Sequence, residues 1–379
     1  MIRNMPDASS DPIHVPFLRP DIRDADIDRM NRSIRSGWLA HGSETAAFES
    51  ALKGYLGVKD AVMVASCTAA LHLSLIAAGV GEGDEVITTP LSWVSTSNVI
   101  LYQRAVPVFA DVEPATGLLD PAEVAKKITS KTKAIIVVHI YGQMADMRSL
   151  RSMADRHGIA LIEDTAHALE AKRDGVRPAE LGFSACLSFH VAKNITAGQG
   201  GAVVTNDEEA GRRMRLLRRD GVMNQPDGKR VMLDFGYKYD ATDYQAALLR
   251  GQLERIDETH AMRRRVFDAY ATAFAASGVR FASFPSSEGH AAHMFVIFVD
   301  PARRDGIRGA LASRGVETSI HYAPIHLEPY YRQRFGFVDG DFPIAEALGA
   351  SIITLPTYAL LAEREQQHVI DAVVHAVRA

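Results

Sequence analysis

Cysteine is scarce in this chain. Cys67 and Cys186 are the only two among 379 residues. Two cysteines cannot build a disulfide framework, and neither sits at a metal-ligating spacing, so a reduced, cytoplasmic setting is expected. No apolar run reaches the roughly 20 residues that a membrane-spanning helix needs. Neither sign of charge dominates: 42 Lys and Arg stand against 46 Asp and Glu, a net charge of -4. Nothing in that balance calls for nucleic acid or an anionic membrane as partner. The first sixteen residues carry Pro6, Asp7, Asp11 and Pro12 and no apolar core, which does not read as a signal peptide. Internal repeats and low-complexity segments are absent. So is any Gly-x-Gly-x-x-Gly or Gly-Lys-Ser/Thr loop after the strand that ends at Ala65, which disfavours a nucleotide loop there.

What is present is a long alternation of strands and helices. Strands are predicted over 61–65, 85–89, 107–110, 134–139, 159–162, 185–189 and 202–205. Helices are predicted over 68–78, 93–104, 121–128 and 147–157. Strands rich in Val and Ile, separated by helical patterns, predict an α/β fold with a mostly parallel sheet covered on both faces. Residues 1–20 read as irregular, a polar helix follows over 24–36, and 38–42 reads as loop. Beyond residue 207 come a basic helix over 208–219, a polar loop over 221–235 and long helices over 242–270. Strands over 294–299 and 317–321 then mix with helices over 304–314 and 362–377. The expected division is a large domain over 14–250 and a smaller C-terminal α/β domain over 251–379.

Four features point to one site. Ser66, Cys67 and Thr68 lie between a strand and a helix, where backbone N–H groups and the helix dipole favour a single phosphate ester. Trp93 follows the turn 88–92 and can stack on a planar ring. Asp164 ends the strand 159–162, where a side chain faces the ligand crevice of an α/β sheet, with His167 three residues on. Ser188 precedes Lys193, which sits 29 residues after Asp164 in a loop of small residues and glycines. Taken alone, Lys193 reads as a surface lysine and Asp164 as a solvated strand end. Together they suggest a desolvated amine that forms a Schiff base with an aldehyde, and a carboxylate that keeps a pyridine nitrogen protonated. The expected cofactor is pyridoxal 5'-phosphate (PLP).

These residues carry a resemblance. The stretches 66–73, 83–88, 132–136, 138–143, 163–168, 188–194, 236–239, 245–247 and 321–326 are similar, in order, to the PLP-dependent nucleotide-sugar aminotransferases of the DegT/DnrJ/StrS family. The resemblance implies the fold type I architecture of PLP enzymes, with a seven-stranded type of sheet. It implies that Lys193 carries the cofactor and shuttles protons, and that Asp164 pairs with the pyridinium nitrogen. His167 stands near the phenolic oxygen and Trp93 stacks on the ring. Cys67, Thr68 and Ser188 hold the phosphate. Lys238, on the loop 236–239, reaches in from the other subunit of a homodimer. His190, His321, Tyr322 and His326 are expected at the sugar.

Four positions depart from the family's pattern: Cys67 replaces a common Gly, Lys238 and Asp240 replace Asn and Arg, and Gln199 replaces a common Glu. With Lys238, the runs 93–96 and 188–190 look most like the branch that aminates UDP-4-keto-pentose, the 4-amino-4-deoxy-L-arabinose enzymes. The expected reaction moves an amino group from an amino acid, L-glutamate, to a keto sugar linked to a nucleotide diphosphate. The alternatives are an aminotransferase for a cyclitol or other non-nucleotide ketone, and a non-catalytic PLP- or sugar-nucleotide-binding regulator. Lys193 argues against the family's dehydratase offshoot, which has histidine there.

Overall fold

The computed structural model describes residues 13–284 and 289–379. The first twelve residues, part of the segment expected to be irregular and free of a signal peptide, lie outside the described residues. The chain begins with α1 (Asp24–Arg35), α2 (Ser43–Leu56), β1 (Asp60–Val64), α3 (Cys67–Ala77), β2 (Glu85–Thr88), α4 (Ser95–Tyr102) and β3 (Val106–Phe109). It continues through α5 (Pro121–Lys127), β4 (Thr132–Val138), α6 (Met147–His157), β5 (Ala160–Asp164), β6 (Ser184–Ser188), β7 (Gly201–Thr205) and α7 (Glu208–Arg218).

These seven strands form one sheet in the order β1-β7-β6-β5-β4-β2-β3. β7 runs antiparallel to β1 and β6, and the remaining neighbours are parallel. Both faces are buried, and the pleat divides each strand between them. Along β1, Val62 and Val64 pack with Leu73, Val99 and Met214, whereas Ala61 and Met63 pack with Phe48, Leu52 and Leu249. That two-sided burial explains the continuous Val/Ile runs.

After α7 come β8 (Val222–Asn224) and β9 (Arg230–Met232), a hairpin where a polar loop was expected. Met223, Val231 and Met232 on it are exposed, so no alternation of buried and polar residues marks it in the sequence. α8 (Asp243–Glu254) and α9 (Ile256–Ser277) follow. The last part holds β10 (Arg280–Phe281), β11 (Phe295–Phe298), α10 (Arg304–Ser313), α11 (Pro329–Phe335), α12 (Pro343–Ser351), β12 (Ile352–Leu355) and α13 (Glu363–Arg378).

A three-stranded antiparallel sheet, β10-β11-β12, packs here with α9, α10 and α13 around Phe274, Phe295, Leu311, Val369 and Val373. The strand expected over 317–321 is not one. Within it only Ser319 pairs, in one isolated bridge to Thr354 on the free edge of β12, while Val316 just ahead of it bridges to Val15. Ser319 and His321 line a cavity, while the Ser319 backbone exchanges both of its hydrogen bonds with Thr354. The expected helix over 93–104 is also shorter: α4 opens at Ser95, so Trp93 stands ahead of it with 61% of its surface exposed.

Candidate active site

The strand ends Asp164 and Ser188 and the start of α3 converge on one cavity of about 530 Å³. Ser66 caps α3 by accepting a hydrogen bond from the Ala69 N–H at 3.1 Å, and Cys67 and Thr68 form the helix's first turn at the cavity wall. β7 begins against this turn. A Cβ at Gly201 would collide with the Ser66 and Cys67 backbone, so only glycine lets the strand approach so closely.

Asp164 is buried at the end of β5. Its Oδ2 accepts from the Thr96 hydroxyl at 2.9 Å, and its Oδ1 accepts from the Ala166 N–H at 3.2 Å. The Ser92 hydroxyl backs Thr96 at 2.9 Å, and the Cys67 thiol lies 3.8 Å from Oδ1. Burial raises the pKa of Asp164, and the Thr96 and Ala166 hydrogen bonds and Lys193 only partly oppose it. A carboxylate so placed calls for a cation beside it.

Lys193 sits on the loop after β6. The Lys193 N–H donates to the His190 carbonyl at 2.9 Å, and the Gln252 carboxamide clamps both backbone groups of Thr196, at 2.9 and 2.8 Å. Burial pulls the Lys193 amine from 10.5 down to about 8, against the opposing pull of Asp164. The unfolded chain therefore binds more protons than the folded one between about 8 and 10.5, and cofactor-free protein gains stability as pH rises through that window. Relative to Lys193→Met, the expected gain is at most about 3 kcal/mol, less where the cavity keeps the amine wet. Urea unfolding of both proteins across this range checks it, and a pH-independent difference removes the claim that the amine is desolvated.

His167 is buried with both ring nitrogens engaged. Nδ1 accepts from the Tyr141 N–H at 3.3 Å, so the proton sits on Nε2, which donates to the Tyr322 hydroxyl at 3.1 Å. Burial keeps this imidazole neutral. Its ring stacks on Tyr322, and the Trp93 ring lies 6.3 Å from the same tyrosine. His321 pairs with the Thr354 hydroxyl through Nδ1 at 3.0 Å, and burial lowers it to about 4. His190 accepts the Ala192 N–H through Nδ1 at 3.3 Å and also lines the cavity.

Ten of the twelve expected site residues thus line a single cavity: Lys193, Cys67, Thr68, Trp93, Asp164, His167, Ser188, His190, His321 and Tyr322. Two do not. His326 is fully buried elsewhere, with Nε2 3.0 Å from Glu346 and its ring against Phe342. It supports a turn that Glu346 holds by accepting from the Gly340 and Phe342 N–H groups, so its expected place at the sugar is corrected to a core position. Lys238 is exposed outside this chain's own cavity. It pairs with Asp240 at 3.0 Å and Asp220 at 3.7 Å, on a loop tied to the end of β1 by the Ala65 N–H to Tyr239 carbonyl bond. The sequence marks Thr96 only as part of the run 93–96, without its role at Asp164, and it does not mark the steric role of Gly201.

The residue set fits PLP. A buried carboxylate short of counter-charge suits a protonated pyridine nitrogen. The glycine-dependent cradle at the start of α3 suits a phosphate, and the desolvated amine suits an aldehyde. Fold and site define a PLP-dependent aminotransferase of fold type I. The chain belongs to the DegT/DnrJ/EryC1/StrS aminotransferase family, whose model matches residues 20–374. The spore coat polysaccharide biosynthesis protein SpsC of Bacillus subtilis is 35% identical over 96% of this chain and 97% of its own. The aminotransferase PseC of Helicobacter pylori, involved in pseudoaminic acid biosynthesis, superposes with a TM-score of 0.92 at 27% identity, over 97% of this chain and 100% of its own. NtdA of B. subtilis, solved with the pyridoxamine form of the cofactor, superposes with a TM-score of 0.88 at 26% identity, over 97% of this chain and 86% of its own. The protein is a PLP-dependent sugar aminotransferase.

Proposed function

We propose that the protein moves an amino group from L-glutamate to the carbonyl carbon of a keto sugar carried on a nucleotide diphosphate, in particular a UDP-4-keto sugar. One observation carries the reading: a single cavity holds Lys193 and the buried Asp164 beside the amino end of α3. Its volume of about 530 Å³ falls within the range of small-molecule sites and accommodates a cofactor ring and a sugar. The roles of SpsC in spore coat polysaccharide biosynthesis and of PseC in pseudoaminic acid biosynthesis support a sugar nucleotide as acceptor.

When bound, PLP supplies a protonated ring that withdraws electrons from the carbon bearing the transferred nitrogen. The chain's residues do the rest. Asp164, oriented by Thr96 and Ala166, holds the ring nitrogen's proton. Lys193, neutral in a larger fraction than an ordinary lysine, takes a proton from one carbon and returns it to another. The first turn of α3 and Ser188 hold the phosphate, and Trp93 covers the ring. His167 donates from a fixed tautomer, while His190, His321 and Tyr322 orient the sugar. Lys238, outside its own cavity, serves the cofactor phosphate of a second copy, so the working unit is a cytoplasmic homodimer with shared sites. Within each subunit, residues 14–250 form the large cofactor-binding domain and 251–379 the small one.

The test is the absorbance of PLP-loaded protein before and after L-glutamate, with no sugar present. Replacement of the visible band of the lysine-bound cofactor by that of the pyridoxamine form is the expected result. A visible band that persists removes glutamate as donor, and no visible band at all removes the assignment of Lys193.

A further inference from the structure

A second, smaller cavity of about 50 Å³ adjoins Lys193, lined in part by Asn194, His293, Arg263, Asp21 and Tyr358. It is large enough for water. Among the described residues, three buried polar atoms on its lining residues have no hydrogen-bond partner: His293 Nε2, Tyr358 Oη and Arg263 Nε. His293 and Tyr358 each expose only 6% of their surface, and Arg263 3%.

The tautomer of His293 is set by its neighbour. The Asn194 amide nitrogen donates to Glu170 at 2.8 Å and to the Ala291 carbonyl at 3.2 Å, so its oxygen faces His293. That oxygen lies 2.9 Å from Nδ1, which must therefore carry the proton. Nε2 is left as an acceptor. Glu170 is held in turn by an ion pair with Arg263. The groups facing His293 are Lys193 and Asn194 on the lysine loop, Arg263 on α9, His290 before β11, His321, and His167, whose ring is 4.6 Å away. Burial, and after it Lys193, Arg263, His321 and His290, keep His293 neutral.

A lysine that takes a proton from carbon becomes an ammonium inside protein, a species that is costly without acceptors. Asp164 is committed to the cofactor nitrogen. We propose that Nε2 of His293, with Tyr358 Oη on the same small cavity, accepts the Lys193 ammonium directly or through one water, so that His293 positions the lysine for proton transfer. The proposal rests on the reading of Lys193 as the cofactor-bearing residue.

Two variants separate the ring's two roles. Asparagine at 293 reaches only as far as Nδ1 and keeps the bond to Asn194, whereas glutamine reaches the Nε2 position. In full-length cofactor-free protein, the pH dependence of Lys193 acylation, read by peptide mass spectrometry, reports the amine's pKa. Because a neutral acceptor stabilises the charged form, His293→Asn lowers this pKa by roughly half to one unit, and His293→Gln restores it. In PLP-loaded protein the step with the amino donor slows about tenfold in His293→Asn, and the acid limb of its pH profile moves down with the amine. Superimposable acylation profiles for wild type and His293→Asn overturn the proposal. If that variant does not fold, Tyr358→Phe takes its place, with the same expected direction and the same overturning result. Wild-type protein that forms no visible band with PLP overturns the functional reading instead, and the two failures are distinct.

Discussion

Replacing Lys193 with alanine removes amino transfer: turnover falls by at least about 10³-fold, and the variant loses the visible band of the lysine-bound cofactor. The size of the effect reflects two roles lost at once. In the proposed mechanism the amine takes the cofactor's aldehyde, and it is the one amine lining the cavity among the described residues, hence the base and acid that this reading places within reach of the transferred proton. No neighbour substitutes. His167 has both nitrogens engaged and is kept neutral by burial, and His321 is lowered to about 4. Protein with unchanged unfolding and turnover within tenfold of wild type would remove Lys193 from the mechanism. A small amine added to the alanine variant is expected to recover part of the rate, which a folding defect would not allow.

Asp164→Asn is the second large effect, about 10² to 10³-fold in turnover, the scale of losing one preorganised electrostatic partner. Asparagine keeps the shape and can still accept the Thr96 hydroxyl, but it holds no cation. Stability moves the other way in cofactor-free protein. Asp164 has its pKa raised by burial, so its contribution is present below the unfolded value and lost as pH rises through the folded one. At neutral pH the neutral amide removes that cost, and cofactor-free Asp164→Asn is expected to melt higher than wild type. With PLP bound the order reverses, because wild type gains the carboxylate–pyridinium pair and the variant does not. Calorimetry of both proteins with and without PLP checks this. A variant that is less stable in both states would mean that the carboxylate serves the fold rather than the cofactor.

Thr96 and Gly201 show how the site is held. Thr96 donates to Asp164 with Ser92 behind it, so three residues from two segments share one hydroxyl chain. Gly201 has no chemistry, yet its missing side chain lets β7 meet the α3 turn. Both are short-range in space and far apart in sequence from the groups they serve, which is why neither stands out as a motif.

Much of this protein is legible in its residues. The two-sided strands read as Val/Ile runs because both faces of a mostly parallel sheet are buried. The turn at Ser66, the aspartate at the end of β5 and the lysine after β6 read as a site because strand ends of one sheet direct their side chains to one edge. Those are local signals, written in the periods of strand and helix and in the residues just past a strand's end. Three matters were decided only in space. His326 and His321 stand five residues apart in one histidine-bearing stretch, yet one packs into a core against Glu346 and the other opens on the cavity. The segment 317–321 has strand-like spacing, yet its pairing with β12 stops at the one bridge from Ser319 to Thr354, and Ser319 and His321 line the site. His293 lies a hundred residues beyond Lys193 and comes beside it through the packing of the lysine loop against the segment before β11, where Asn194 fixes its tautomer. A side chain's period says which face it occupies. What that face meets depends on contacts between distant segments, and burial there sets whether a lysine, an aspartate or a histidine is charged.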